Sequence, residues 1–315
     1  MTSNLLISSC GSKVPLLKAA QDAFARLGLP GGVIAGDISE SSLSFYFAKS
    51  HWIMPEICDQ NLEVILVGCL ERNVRLILPT RDEELLWFAK NLDSFKQLGV
   101  SIISSSSTTV ETCLDKFEFY KTLSKNNIPA IRTCVSYEAD LGDFVTVKER
   151  FGAGARGVRL GLTQLEAVHY SRELRNPVFQ PTIEGEEFSI DIWSSIDGIH
   201  VLSSPRLRKK IVDGESRVTK VFKSIELNEI SKKIVKVLNL RGLAVVQGFF
   251  DRHGTVVINE CNSRFGGAST ATINAGGYIL DLVILDFLGY STKKLFESIK
   301  INEITQVRVP LDTCF

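Results

Sequence analysis

Val245-Val246-Gln247-Gly248-Phe249-Phe250, then Asp251-Arg252-His253-Gly254, then Thr255-Val256-Val257-Ile258-Asn259-Glu260-Cys261-Asn262-Ser263-Arg264: this stretch decides how the chain is read. β-Branched and aromatic residues on either side of an Asp…Gly turn describe a β-hairpin. In the simplest register Gln247 stands opposite Ile258. Side chains alternate along a strand, so Gln247, Glu260 and Asn262 then share one face. A carboxylate with amide oxygens, and room for phosphate oxygens, is a donor set that suits Mg2+. Arg264 follows two residues on, within reach of a phosphate or an acyl oxyanion. The plainer reading is a solvated polar face on an ordinary hairpin. Three polar groups set among Phe249, Phe250, Val257 and Ile258 fit a site better.

Upstream lies Val145-Thr146-Val147-Lys148-Glu149-Arg150-Phe151-Gly152-Ala153-Gly154-Ala155-Arg156-Gly157-Val158. A strand presents Lys148, a glycine-rich loop follows, and a second strand returns. Glycines let backbone N–H groups approach phosphate oxygens closely, and lysine adds a compact positive charge. Taken alone, the segment reads equally well as a hairpin turn with an exposed lysine.

Toward the N-terminus, strands alternate with helices. Asn4–Ser9, Gly32–Gly36, Val74–Pro79 and Val100–Ile103 read as strands, and Leu16, Leu17, Ala20, Phe24 and Leu27 keep helical spacing up to Gly28. Such alternation implies a parallel, doubly wound sheet whose ligands bind beyond the carboxyl ends of the strands. Those ends are Ser8–Ser12, Asp37 and Thr80-Arg81-Asp82-Glu83. Gly11-Ser12-Lys13 lacks the earlier glycine of a phosphate loop and is read as a tight turn. After a polar linker at Ser104–Thr109 and a helix over 110–125, strands come in hairpin order: 144–148, 157–161, 177–181, 186–194, 199–204, 217–222, 243–250 and 255–261. Helices near 163–172 and 226–239 interrupt them, and another near 277–289 precedes a short tail. The fold class is thus α/β followed by α+β, with expected units at 1–107, 108–178 and 179–315.

Composition bounds the function. The 315 residues are 44% hydrophobic and 23% charged, with a formal net charge of +0. No global field favours nucleic acid or an anionic membrane. The 7 cysteines are scattered, which argues against a disulfide framework or zinc site and for a reducing, cytoplasmic setting. No basic n-region suggests a signal peptide, and no apolar run approaches the roughly 20 residues needed to span a bilayer. His51, His169, His200 and His253 are dispersed, and none is assigned to catalysis.

In order and spacing, these segments resemble an ATP-grasp enzyme, in particular one half of the carbamoyl-phosphate synthetase large chain. The resemblance runs over nearly the whole chain. Residues around Leu78-Pro79-Thr80-Arg81-Asp82-Glu83-Glu84-Leu85 resemble the family's Rossmann-like pre-ATP-grasp domain. Leu114-Asp115-Lys116-Phe117 through Asn127-Ile128-Pro129 resembles its Asp-Lys helix and Ile-Pro boundary, and Phe179-Gln180-Pro181-Thr182-Ile183-Glu184-Gly185-Glu186-Glu187-Phe188-Ser189-Ile190-Asp191 its adenine and ribose strand. The resemblance implies a two-lobed ATP-grasp domain in which Lys116, Lys148 and the loop glycines Gly152, Gly154 and Gly157 contact ATP phosphates. Gln180, Pro181 and Ile183 would line the adenine pocket, and Glu187 would bind the ribose. Gln247, Glu260 and Asn262 would hold one or two Mg2+ ions, with Mn2+ able to substitute. Arg264, Arg208 and Asn262 would serve catalysis at the transferring phosphoryl group and acyl phosphate, since such transfer needs chiefly positioning and charge neutralisation. Arg81, Asp82, Glu83, Gly266 and Gly267 are candidate substrate contacts. Glu149, Ala155 and Ser263 depart from the residues common at those places, but none of these changes removes a charged group.

The expected activity is ATP-dependent carboxylate–amine ligation through an acyl phosphate, on a small-molecule acid and amine such as amino acids. The resemblance also allows a homodimer. A small-molecule kinase would instead release a stable phospho-product, and a non-catalytic nucleotide-binding subunit would bind ATP without turnover. Carbamoyl-phosphate synthesis is disfavoured, because there is one ATP-grasp unit and no glutaminase.

Overall fold

The computed structural model describes residues 3–152, 157–310 and 312–314. Its first unit contains β1 (Asn4–Ile7), α1 (Val14–Leu27), β2 (Val33–Asp37), β3 (Ser50–Ile53), α2 (Leu62–Glu71), β4 (Val74–Leu78), α3 (Asp82–Lys90), α4 (Leu92–Gln97) and β5 (Ser101–Ile102). The strands form one parallel sheet in the order β3-β2-β1-β4-β5. Alternation sorts β1 between two cores: Leu5 and Ile7 pack with α1, and Leu6 packs with Trp52, Ile65, Ile77, Phe88 and Phe95. The edge strand β3 was not expected, because Ser50-His51-Trp52-Ile53 buries only Trp52 and so carries little apolar signal.

The expected helix over 110–125 is two helices, α5 (Ser107–Leu114) and α6 (Lys116–Lys125), and α5 begins inside the supposed linker. Asp115 causes the break. Its carboxylate caps α6 by accepting from the N–H groups of Phe117 at 3.0 Å and Glu118 at 3.1 Å. It also takes a bidentate pair from Arg150 at 2.7 and 2.6 Å, which ties the start of α6 to the segment following Lys148.

A small antiparallel sheet, ordered β7-β6-β8, comprises β6 (Val145–Glu149), β7 (Arg159–Leu162) and β8 (Pro177–Pro181), with α7 (Gln164–Ser171) packed on it. Glu149 closes its edge by accepting from the N–H groups of Arg175 at 2.7 Å and Asn176 at 3.0 Å.

The larger antiparallel sheet holds β9 (Gly185–Ser194), β10 (Val201–Val212), β11 (Glu215–Val221), β12 (Gly242–Asp251), β13 (Val256–Asn262) and β14 (Thr305–Val307), in the order β13-β12-β9-β10-β11-β14. β14 lies in the stretch read as a tail, and the basic segment Arg206–Lys210 lies within β10. One face of the sheet buries Phe188, Ile190, Ile192, Ala244 and Val246 against α6 and α8 (Ile225–Leu238). The other face carries the polar residues. After α9 (Thr270–Asn274), α10 (Ile279–Phe287) packs its Ile279–Ile284 stretch into the α1 side of the first sheet, and α11 (Lys293–Ser298) follows. Arg26 of α1 anchors that junction through the buried carboxylate of Asp281 at 2.8 Å.

Candidate active site

β9 lies between β12 and β10, so its alternation sets the polar face. Glu187 and Ser189 project on that face; Ser189 stands opposite Arg206 on β10 and Gln247 on β12, and Asp191 stands opposite Val245. The hairpin register differs from the simple one. Gln247 pairs with Glu260 rather than Ile258, and Gly248 pairs with Ile258, so Asn259 is an extra residue in a β-bulge. Gly248 permits the close approach there: a Cβ would lie 2.5 Å from the carbonyl oxygen of Val257. Gln247, Glu260 and Asn262 still share the polar face, and the bulge adds Asn259 to the same cleft.

The cleft, of about 580 Å3, is bounded by this face and by the small sheet. Lys116, Lys148, Gly152, Gln180, Pro181, Ile183, Glu187, Gln247, Glu260, Asn262, Arg208, Arg264, Gly266 and Gly267 all line it. Gly157 does not; its neighbours are Leu174, Glu149 and Tyr170. Gly154 lies outside the described residues. Arg81 and Glu83 also stay outside the cleft and pair with each other on the surface at 3.7 Å. Asp82 instead grips Arg264 with two 2.7 Å hydrogen bonds, so a residue expected to meet substrate orients one expected to serve transfer.

Two lysines stand together. Lys148 donates to Asn259 Oδ1 at 2.9 Å, and Lys116 to the Gly152 carbonyl at 2.8 Å. Burial lowers the Lys148 pKa to about 8, against the raising influence of Glu260. Burial likewise lowers that of Lys116. Glu187 is raised by burial, although the adjacent Arg208 guanidinium works the other way. Two cations facing Glu260 and Glu187 across a cleft form an anion seat next to an oxygen-rich one. The Gln180 side chain is tied down by Thr133 at 2.8 Å, while the Ile183 N–H has no hydrogen-bond partner among the described residues.

Residues not anticipated include Ser189, Asn259 and Arg308. Arg206 was legible, since it shares the face of Arg208 by strand alternation. Arg206 is held by Asp191 through bonds of 2.8 and 2.9 Å, and Asp191 also accepts from Ser269 at 2.6 Å and Thr272 at 2.5 Å. Ser269 Oγ in turn accepts the Gly266 N–H at 3.1 Å. A Cβ on Gly266 would lie 2.7 Å from that same oxygen, so glycine is required.

Two family models match in tandem: "PylC-like, N-terminal domain" over residues 5–103 and "ATP-grasp in the biosynthetic pathway with Ter operon" over residues 173–309. The chain is an ATP-grasp protein. This ATP-grasp protein matches no curated protein in sequence. Its fold is similar to that of a biotin carboxylase from Campylobacter jejuni in complex with β,γ-ATP, with a TM-score of 0.78 at 17% identity over 97% of this chain and 75% of that one. It is similar to an L-amino acid ligase from Bacillus licheniformis, with a TM-score of 0.76 at 19% identity over 99% and 81%. It is also similar to the biotin carboxylase domain of a Hydrogenobacter thermophilus 2-oxoglutarate carboxylase in complex with MgADP, ADP and bicarbonate, with a TM-score of 0.79 at 16% identity over 97% and 74%. In this ATP-grasp protein no described helix is long and apolar enough to cross a membrane.

The donor set fits Mg2+ that arrives with a nucleotide. Among the described residues no three His, Cys, Asp or Glu side chains are grouped to hold a metal by themselves. One carboxylate with amide oxygens, completed by phosphate oxygens and water, needs no such group.

Proposed function

We propose that the protein is an ATP-dependent, ADP-forming carboxylate–amine ligase. A small-molecule carboxylate takes the γ-phosphoryl group of ATP, an amine attacks the acyl phosphate, and amide, phosphate and ADP leave. One observation carries this reading: Lys116 and Lys148 face Glu187, Gln247, Glu260 and Asn262 across a single cleft, in the fold shared by the ligase and carboxylases named above.

Lys116 and Lys148 neutralise phosphate oxygens, and Gly152 brings backbone to them. Pro181 and Ile183 offer the adenine edge backbone groups, with Gln180 beneath, and Glu187 takes the ribose hydroxyls. Gln247, Glu260 and Asn262 hold Mg2+, which supplies charge neutralisation at the β- and γ-phosphates. Arg264, kept in place by Asp82, stabilises charge on the acyl phosphate, and Arg208, which lines the same cleft, joins it. Gly266 and Gly267 border the acid substrate. We place the first unit boundary near 107 and move the second from 178 to the link at 182–184, so that β8 stays whole in the small sheet; limited proteolysis tests both.

The decisive experiment is phosphate release from Mg-ATP across a panel of carboxylic acids and amines, with amide detection by mass spectrometry. Turnover that needs both partners is expected. A stable phosphorylated acid in place of amide would make the protein a kinase, and Mg-ATP binding without phosphate release across the panel would make it a nucleotide-binding subunit.

A further inference from the structure

The floor of the cleft contains a polar group with nothing to bond. Ser189 is 1% exposed, and its Oγ has no hydrogen-bond partner among the described residues. A buried hydroxyl left unpaired is destabilising, so such groups call for an explanation. Four other side-chain atoms share the condition, in Ser8, Trp193, Ser194 and Ser204, but none of those residues lines the cleft and Ser189 does.

Its place on the strand is informative. One step along the same face is Glu187, which feels the charge of Lys148 from the small sheet. One step the other way is Asp191, covered by Ser269 and Thr272 of the segment that begins at Gly266. Ser189 therefore stands where the nucleotide end of the cleft meets the acid end. Arg206 and Gln247 flank it on the neighbouring strands.

What borders Ser189 follows from topology. Arg208 on β10 bonds Glu187 and reaches Gln247 Oε1 on β12 at 3.5 Å. β9 separates those two strands, so the guanidinium reaches across β9 at Glu187, the neighbour of Ser189 on that face, and its other nitrogen donates to the Gly214 carbonyl at 2.6 Å. A ligand that draws Arg208 away from these partners frees Glu187 and Gln247, which border Ser189.

We propose that the Ser189 hydroxyl donates a hydrogen bond to an oxygen of the phosphoryl group as it passes from nucleotide to acid, once Arg208 has swung off the strand. The hydroxyl keeps its proton and forms no covalent bond. The proposal rests on the ATP-site reading above. The test compares wild type and Ser189→Ala by calorimetry with Mg-ADP, then with Mg-ADP plus aluminium fluoride, which mimics the phosphoryl group in transit. Without ligand, Ser189→Ala melts at the wild-type temperature or slightly above, because the lost group has no partner. Affinity for Mg-ADP stays within about twofold, while the aluminium fluoride complex weakens about tenfold or more, the worth of one hydrogen bond to a charged oxygen. Equal affinity of both proteins for the aluminium fluoride complex overturns the proposal. So does a melting temperature lowered by several degrees without ligand, which would mark a structural hydroxyl, or a wild type whose Mg-ADP complex gains nothing from aluminium fluoride. A wild type that fails to bind Mg-ADP at all overturns the ATP-site reading, and this proposal with it.

Discussion

Replacing Asp191 by asparagine tests what holds the acid end of the cleft. Asp191 and Arg206 have side chains 1% and 4% exposed, and both carboxylate oxygens are saturated, each by one Arg206 nitrogen and one hydroxyl. The amide has nearly the same shape but no charge. It leaves a guanidinium buried without its counterion and turns one acceptor into a donor facing a hydroxyl. Breaking such a pair from one side costs about 3–5 kcal/mol, far more than the pair contributes over an apolar replacement of both partners. Asp191→Asn should therefore lower stability by about 3 kcal/mol or more, read from the urea midpoint with an unchanged slope. The double variant Asp191→Leu, Arg206→Met removes both charges and leaves only the Ser269 and Thr272 hydroxyls to find new partners. It should be less destabilised than the two single variants together by about 2 kcal/mol or more, since the groups share one network. Mg-ADP affinity should hold within about twofold in Asp191→Asn, because the nucleotide candidates lie beyond Ser189 at the other end. A loss below about 1 kcal/mol for the single variant, or additive losses in the double, would show that the pair does not act as a buried charge unit.

Four further outcomes follow from the same geometry. With its pKa near 8, Lys148 is charged at neutral pH and loses its proton as pH rises through that value, so Mg-ADP affinity should fall by up to about tenfold per unit above pH 8; Lys148→Met should bind ADP weakly at every pH and abolish the trend in a calorimetric titration from pH 7 to 9.5. Since the unfolded lysine titrates near 10.5, the unfolded chain holds the extra proton between about 8 and 10.5, so the Lys148 contribution makes stability rise with pH across that window, and Lys148→Met should raise the melting temperature at pH 7. Glu260→Gln keeps the volume but removes the carboxylate opposite Gln247; the tightening of ADP binding by Mg2+ should largely vanish, and an undiminished Mg2+ effect would take Glu260 out of the metal site. Asp82→Asn removes the charge and one of the two bonds to Arg264 and should lower stability by about 2 kcal/mol, seen as a few degrees in melting temperature, and slow turnover more than it changes nucleotide affinity; unchanged kcat would show that Arg264 needs no orienting.

The hairpin and Lys148 were legible because each rests on short-range rules: alternation along a strand, glycines after a lysine, an Asp…Gly turn; Lys116 came only with the family resemblance. The bulge was not, since a single inserted residue leaves the composition of β13 unchanged; only Gly248, pressed against the Val257 carbonyl, hints at it in hindsight. That one residue matters chemically. A regular hairpin would send Asn259 to the face opposite Glu260, whereas the bulge brings both to the cleft and gives Lys148 an acceptor that leaves the carboxylate free of it. The contacts that cross the chain were equally hidden. Asp82 and Arg264 are 182 positions apart, and α10 buries its apolar face between α1 of the first unit and Trp193 and Leu243 of the larger antiparallel sheet. No local pattern specifies such partners; they follow from packing the two sheets together. These contacts explain why the first unit is part of the site although neither Arg81 nor Glu83 enters the cleft. By fixing Arg264 through Asp82, and the Gly266 turn through the buried Asp191 cluster, the fold orients the acid end of the cleft from two sides. At the other end, Arg150 and Asp115 link α6 to the loop after Lys148, so Lys116 and Lys148 are positioned as one body. The groups thus fall into two sets that meet at Ser189, the position at which the proposed phosphoryl transfer would take place.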